Sequence, residues 1–118
     1  MQGVLLVDDH GEFRAFARGL IISAGFLVIA EAADGSDALR AADLHHPEIV
    51  VLDIRLPDMS GLDVARRLKA GPDGPVVILI SSGDKREYEH AAREAGARGF
   101  IAKADLTAAA LRVLVDRP

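Results

Sequence analysis

The chain has 118 residues, half of them hydrophobic and 27% charged, with a formal net charge of −4 and no cysteine. That length suits one domain over residues 1–118 with a sizeable core, and the composition speaks against disorder. The acidic balance argues against a general nucleic-acid surface, which needs a clustered basic face, and the missing cysteines exclude disulfides and thiolate chemistry. Met1-Gln2-Gly3 runs straight into a strand-like stretch, without the basic segment and long apolar run of a signal peptide. No apolar stretch approaches the ~20 residues that span a bilayer, so a soluble, cytoplasmic protein is expected.

Val4–Val7 is the first of five short apolar runs rich in β-branched residues; the others are Phe26–Ala30, Ile49–Leu52, Val76–Ile80 and Gly99–Ala102. All but the second are nearly continuous rather than alternating, as expected of strands buried on both faces of a parallel sheet. After the first run, Phe13, Phe16, Ala17, Leu20, Ile21 and Ala24 follow the spacing of an amphipathic helix, which Gly25 can end in the left-handed conformation. Asp34-Gly35-Ser36 can cap a second helix through Ala38, Leu39 and Leu44, stopped by Pro47. Ser60 can cap a third through Leu62, Val64, Ala65 and Leu68, with a Gly- and Pro-rich loop after it. A fourth is expected from about Asp84 to Ala95, with Gly96 beyond, and a fifth from about Asp105 to Val115. This fivefold strand–helix alternation predicts an α/β, doubly wound (βα)5, flavodoxin-like fold with five parallel strands in the order 2-1-3-4-5.

In such folds function collects where the strands stop. Strand one ends in Asp8-Asp9-His10, strand three in Asp53, strand four in Ser81-Ser82 and strand five in Lys103. Each has a plain reading: an Asp-Asp pair or Ser81-Ser82 can cap a helix, and an aspartate after a strand is commonly a turn residue. Four at the ends of four correctly ordered strands is a stronger pattern. Three converging carboxylates repel one another unless compensated, and a hard divalent cation with oxygen ligands and retained waters, such as Mg²⁺, compensates them. A lysine and a hydroxyl beside a metal-bound carboxylate suit phosphoryl transfer.

These residues resemble the receiver domains of two-component response regulators, over essentially the whole chain. The carrying motifs are Val4-Leu5-Leu6-Val7-Asp8-Asp9-His10, Val51–Gly61 around Asp53, Ile78-Leu79-Ile80-Ser81-Ser82 and Gly99-Phe100-Ile101-Ala102-Lys103. Asp8-Asp9-His10 and Glu31–Gly35 look most similar to the branch that often carries helix-turn-helix outputs. The resemblance implies that Asp53 accepts a phosphoryl group from a sensor histidine kinase or histidine phosphotransfer protein. It implies Mg²⁺ ligated by Asp9, Asp53 and the Arg55 backbone carbonyl, with Asp8 acting largely through a water. It implies that Lys103 pairs with the phosphoryl group, that Ser81 hydrogen-bonds it, and that Phe100 changes rotamer as Ser81 moves. The surface of the fourth helix (Asp84 to Tyr88), fifth strand and fifth helix would carry the readout to a downstream target or fused output domain, without direct nucleic-acid or membrane binding. Beyond its own phosphotransfer and dephosphorylation no enzyme activity is implied.

Three positions depart from the family's usual pattern. Ala104 stands where proline usually follows the lysine in a cis peptide; a non-proline cis bond costs ~2.5–4 kcal/mol, which leaves open a trans bond and a shifted Lys103. Phe100 replaces a frequent tyrosine, and Ser82 a common alanine. Arg55, two residues past Asp53, either shields the phosphoryl group or is a solvated arginine. Phe13 is either a kinase-docking residue or a core residue, and His10, His45, His46 and His90 read as loop or helix-surface residues. An aspartate-nucleophile phosphatase is disfavoured because Arg55 stands where its second aspartate should be. A nucleotide-binding module is disfavoured because Asp8-Asp9 would repel a phosphate, and a phosphorylation-independent interaction module stays as the alternative. No output domain follows Pro118, so a single-domain regulator and the receiver part of a longer protein are both open.

Overall fold

The computed structural model describes residues 2–71, 73–83 and 85–117, and for residue 85 the backbone only. Each apolar run forms a strand: β1 (Gly3–Val7), β2 (Leu27–Ala32), β3 (Ile49–Asp53), β4 (Val76–Ser81) and β5 (Gly99–Ala102). Between and after them lie α1 (Gly11–Ser23), α2 (Gly35–His45), α3 (Gly61–Lys69), α4 (Lys85–Glu94) and α5 (Ala108–Val115). The strands are all parallel and run β2-β1-β3-β4-β5 across the sheet, the expected order.

Continuous hydrophobicity in β1 and β3 has the expected cause: every residue of both strands is buried. Successive side chains point to opposite faces. Val4 and Leu6 therefore join a core with Ala17 and Ile21 of α1 and Leu111 and Leu114 of α5. Leu5 and Val7 join another with Ala38, Val64, Ala65 and Ala92 of α2, α3 and α4. The weaker pattern of β2 reflects its place at the sheet edge, where Leu27 is exposed.

Helix ends follow local chemistry. Gly25 and Gly96 adopt φ of +96° and +88° beyond α1 and α4, a conformation that suits glycine. The Asp34 side chain accepts from Asp37 N–H at α2, and Ser60 Oγ from Leu62 N–H at α3. Several expectations are corrected. Phe16 and Leu44 are mostly exposed, because each lies off the buried stripe of its helix. Helix α2 stops before Pro47 as expected, ending at His45 with a left-handed His46 whose N–H donates to Ala42 O. Helix α5 starts three residues late: Lys103–Asp105 form a 3-10 turn, and Thr107 then caps α5 by accepting from Ala110 N–H. The expected start of the fourth helix, Asp84, lies outside the described residues.

Two contacts fasten the β3–α3 loop around the end of β3. A Cβ on Gly61 would lie 2.1 Å from Asp53 O and 2.8 Å from Ile54 Cα, so α3 begins directly against the backbone of Asp53. Across the loop, Asp58 accepts from Gly35 N–H at 2.7 Å and Ser36 N–H at 2.9 Å, a second cap on α2 supplied from a distant part of the chain. These two N–H groups, Gly35 first, hold the Asp58 carboxyl below the ordinary aspartate value.

Gly61→Ala is expected to lose about 1–3 kcal/mol through this overlap, read as a lower urea midpoint. Asp58→Asn is expected to lower stability at neutral pH. Because the folded-state pKa is depressed, the contribution of Asp58 is full above the usual carboxylate range and fades as pH falls through the folded value. Urea midpoints of the two proteins should therefore converge in acid.

Candidate functional site

Pairing register brings four strand ends into one layer. Val7 lies beside Leu52, Asp53 beside Ile80, and Ser81 beside Ala102, so Asp8, Asp53, Ser81 and Lys103 gather along the carboxyl edge of the sheet. Among the described residues, the buried polar or charged side chains are Asp8, Asp53 and Ser81, and all three belong to this edge. Buried charge is costly unless it is paired, so their company matters.

Lys103 supplies the pairing. Its Nζ lies 2.7 Å from Asp8 Oδ2 and 3.0 Å from Asp53 Oδ2. Only the Asp53 contact is aligned as a hydrogen bond; Asp8 Oδ2 is buried with no hydrogen-bond partner. The other oxygens take backbone donors: Arg55 N–H donates to Asp53 Oδ1 at 3.0 Å, and His10 N–H to Asp8 Oδ1 at 2.8 Å. The Asp8 carbonyl is held in turn by Arg14 Nη1 at 2.6 Å. No cis peptide occurs among the described residues, so Lys103 reaches this position with a trans bond to Ala104.

Electrostatics separate the two buried acids. Burial pushes the Asp8 carboxyl up, but Lys103 and the His10 N–H outweigh it and leave Asp8 below its ordinary value. For Asp53 burial prevails over the Arg55 N–H and Lys103, and its carboxyl stands above the ordinary value. Burial likewise opposes charge on Lys103, yet the carboxylates of Asp8 and Asp53 raise its pKa overall. A cationic lysine between two acids is the stable protonation state.

Ligand atoms of Asp8, Asp9, His10 and Asp53 all lie within 4.8 Å of one another. Three carboxylates, one with a buried oxygen that lacks a hydrogen bond, fit the oxygen preference of a hard divalent cation.

The structure thus brings Asp8, Asp9, Asp53 and Lys103 together. Ser81 is buried in the same layer, and its Oγ accepts from Gly83 N–H at 3.2 Å. Arg55 approaches through its backbone, while its side chain is exposed with Nη2 3.4 Å from Tyr88 Oη. Phe100 is buried, its ring centroid 5.6 Å from that of Tyr88.

Two residues play a larger part than the sequence suggests. His10, read as a surface residue, has an exposed ring but turns Nδ1 toward Asp9 Oδ1 at 3.0 Å and Asp8 Oδ1 at 3.3 Å. Its place directly after the acidic pair was the available signal. Phe13 is half-buried beneath Lys103, whose Nζ lies 4.4 Å from the ring centroid. A contact spanning 90 residues of chain leaves no sequence pattern.

Comparison with known proteins agrees with this arrangement. The response regulator receiver domain family matches residues 4–115. The transcriptional regulatory protein KdpE of Mycobacterium tuberculosis is 38% identical over 100 residues, covering 85% of this chain and 43% of KdpE. The probable transcriptional regulatory protein NarL of the same species is 33% identical over 114 residues, covering 96% of this chain and 53% of NarL. The chain spans about half the length of the curated relatives it matches. The solved signal receiver domain of M. tuberculosis NarL superposes with a TM-score of 0.84 at 33% identity, covering 98% of both chains. A chain of the CheX-CheY-BeF3-Mg²⁺ complex of Borrelia burgdorferi superposes with a TM-score of 0.86 at 31% identity, covering 97% of this chain and 86% of that one. With fold, strand-end residues and near full-length similarity in agreement, the chain belongs to the response regulator receiver domain family of two-component systems.

Proposed function

We propose that residues 1–118 form one receiver unit that is phosphorylated on Asp53 and signals through the resulting change in packing. The observation that carries this reading is Lys103 Nζ, placed 3.0 Å from Asp53 Oδ2 in a buried acidic cluster. A carboxylate oxygen of Asp53 attacks the phosphorus of a phosphohistidine on a sensor histidine kinase or phosphotransfer protein. The P–N bond breaks, the imidazole leaves with its electron pair, and an acyl phosphate forms on Asp53. Lys103 balances charge on the transferring group, and the Ser81 hydroxyl, at the end of the adjacent strand, donates to it. Asp9, Asp53 and the Arg55 backbone carbonyl would hold Mg²⁺, with Asp8 bound largely through a water. When bound, the ion would supply neutralising charge; the similarity to a chain of the CheX-CheY complex solved with BeF3 and Mg²⁺ supports this assignment. Water later hydrolyses the acyl phosphate, and no further enzymatic activity is assigned.

Phosphorylation would draw Ser81 toward the phosphoryl group and shift the balance between two packings of α4, β5 and α5. Phe100 is already inside and faces Tyr88, so this ring pair is the element through which α4 would feel the change. Glu87 and Tyr88 then belong to the readout surface, whose target is a partner protein or a fused output domain. The transcriptional relatives support a regulatory output, with direct nucleic-acid contact made outside this unit. No helix among the described residues is long and apolar enough to cross a membrane; membership of the receiver family supports a cytoplasmic placement.

Incubation with acetyl phosphate and Mg²⁺, followed by intact mass, should add one phosphoryl group to the wild type and none to Asp53→Asn. An unmodified wild type would point instead to a phosphorylation-independent interaction module. Arg55 is proposed to shield the acyl phosphate from water, its guanidinium being within reach of Tyr88 at the rim. Arg55→Ala should then shorten the hydrolysis half-life; an unaltered half-life would return Arg55 to the role of a surface residue.

A further inference from the structure

We infer that Phe13 is a positioning residue for Lys103, holding the ammonium over its ring face so that it stays directed at Asp53. The inference rests on the proposed phosphotransfer but is carried by a separate observation. Lys103 Nζ lies 4.4 Å from the Phe13 ring centroid, inside the ~6 Å range in which a ring quadrupole attracts a cation. The lysine side chain is only 14% exposed, so this attraction is little diluted by water. Phe13 is itself braced: it packs against the core shared by α1 and α5, and its ring lies 6.0 Å from that of Phe16.

The lysine needs such a support here. It leaves the end of β5 and must reach past β4 to Asp53 on β3 and to Asp8 beyond β1. Its flexible four-carbon stem sets no direction of its own. The residue that follows is Ala104, joined by a trans bond and exposed, so the backbone after Lys103 carries no ring constraint. Asp8 and Asp53 do hold the ammonium, but both lie in the cluster assigned to the divalent ion, and Asp53 is the atom source for the acyl phosphate. A cation entering that cluster competes with Lys103 for the same oxygens. The Phe13 face competes with neither ion nor phosphoryl group, and so keeps its hold while the carboxylates change partners.

Acetyl phosphate is the appropriate donor, because it removes any contribution of Phe13 to kinase docking. Phe13→Leu keeps an apolar side chain and removes the quadrupole, and is expected to slow phosphorylation roughly three- to thirtyfold. Phe13→Tyr keeps a ring and should restore most of the rate. Independently of activity, and without Mg²⁺, the Lys103 ε-methylene protons should show an upfield ring-current shift by NMR in the wild type and in Phe13→Tyr, lost in Phe13→Leu. Should the leucine variant not fold, Phe13→Met takes its place. A folded variant without the ring that phosphorylates at the wild-type rate overturns the inference, as does a wild-type ε-methylene without the shift. If the wild type takes up no phosphoryl group, the proposed function fails and the NMR shift alone decides the placement of Lys103.

Discussion

The site depends on one ammonium group. Lys103 lies between two carboxylates that the sheet has removed from water, and no other lysine or arginine bond to either side chain is seen among the described residues. Asp8 and Asp53 could not share this layer as two unpaired charges, because repulsion and desolvation would add. The backbone donors from His10 and Arg55 satisfy one oxygen of each acid and leave the other directed at the lysine. The cluster is therefore partly neutralised in the resting fold and not saturated, since Asp8 Oδ2 still lacks an aligned hydrogen bond. One ammonium against three clustered carboxylates leaves the layer net negative and short of one donor, which is the condition that favours a cation.

The surrounding loops serve the same end. Gly61 lets α3 start against the Asp53 backbone, and Asp58 ties the same loop to the start of α2. On the other side Arg14 holds the Asp8 carbonyl and also contacts Glu31, which Arg18 grips through Nε and Nη2 at 2.7 and 3.0 Å. The acidic pair and Asp53 are thus fixed by neighbours that themselves hold no proposed chemical role. Precision at the site comes from this supporting ring as much as from the strands.

Much of this was legible in the sequence because strand burial and strand ends leave local signatures. Continuous Val-Ile-Leu runs marked β1, β3 and β4, and the residues that stop them, Asp8, Asp53 and Ser81, are the buried polar ones. Less legible were features set by tertiary contact. Phe16 and Leu44 fit a helical apolar spacing but fall at the margin of the stripe, where no neighbouring element covers them. The late start of α5 reflects competition between caps: Asp105 has the composition of one, yet Thr107 has the geometry. Asp58 carries no local signal of its role, since the α2 N–H groups it accepts from lie more than twenty residues away in the chain. The ring of Phe13 under Lys103 is of the same kind.

The alternation of β5 has a consequence for how a local event would spread. Phe100 belongs to the core beneath α2, α3 and α4, whereas its neighbour Ile101 belongs to the core beneath α1 and α5. Adjacent residues of one short strand thus address opposite faces of the sheet. Under the proposed phosphorylation, a displacement of Ser81 or Lys103 would reach both cores through β5. On one side it would meet the aromatic pair under a highly charged helix, on the other the aliphatic packing under a helix rich in alanine and leucine. A single chemical event at Asp53, as proposed, would then bear on both faces of the sheet at once.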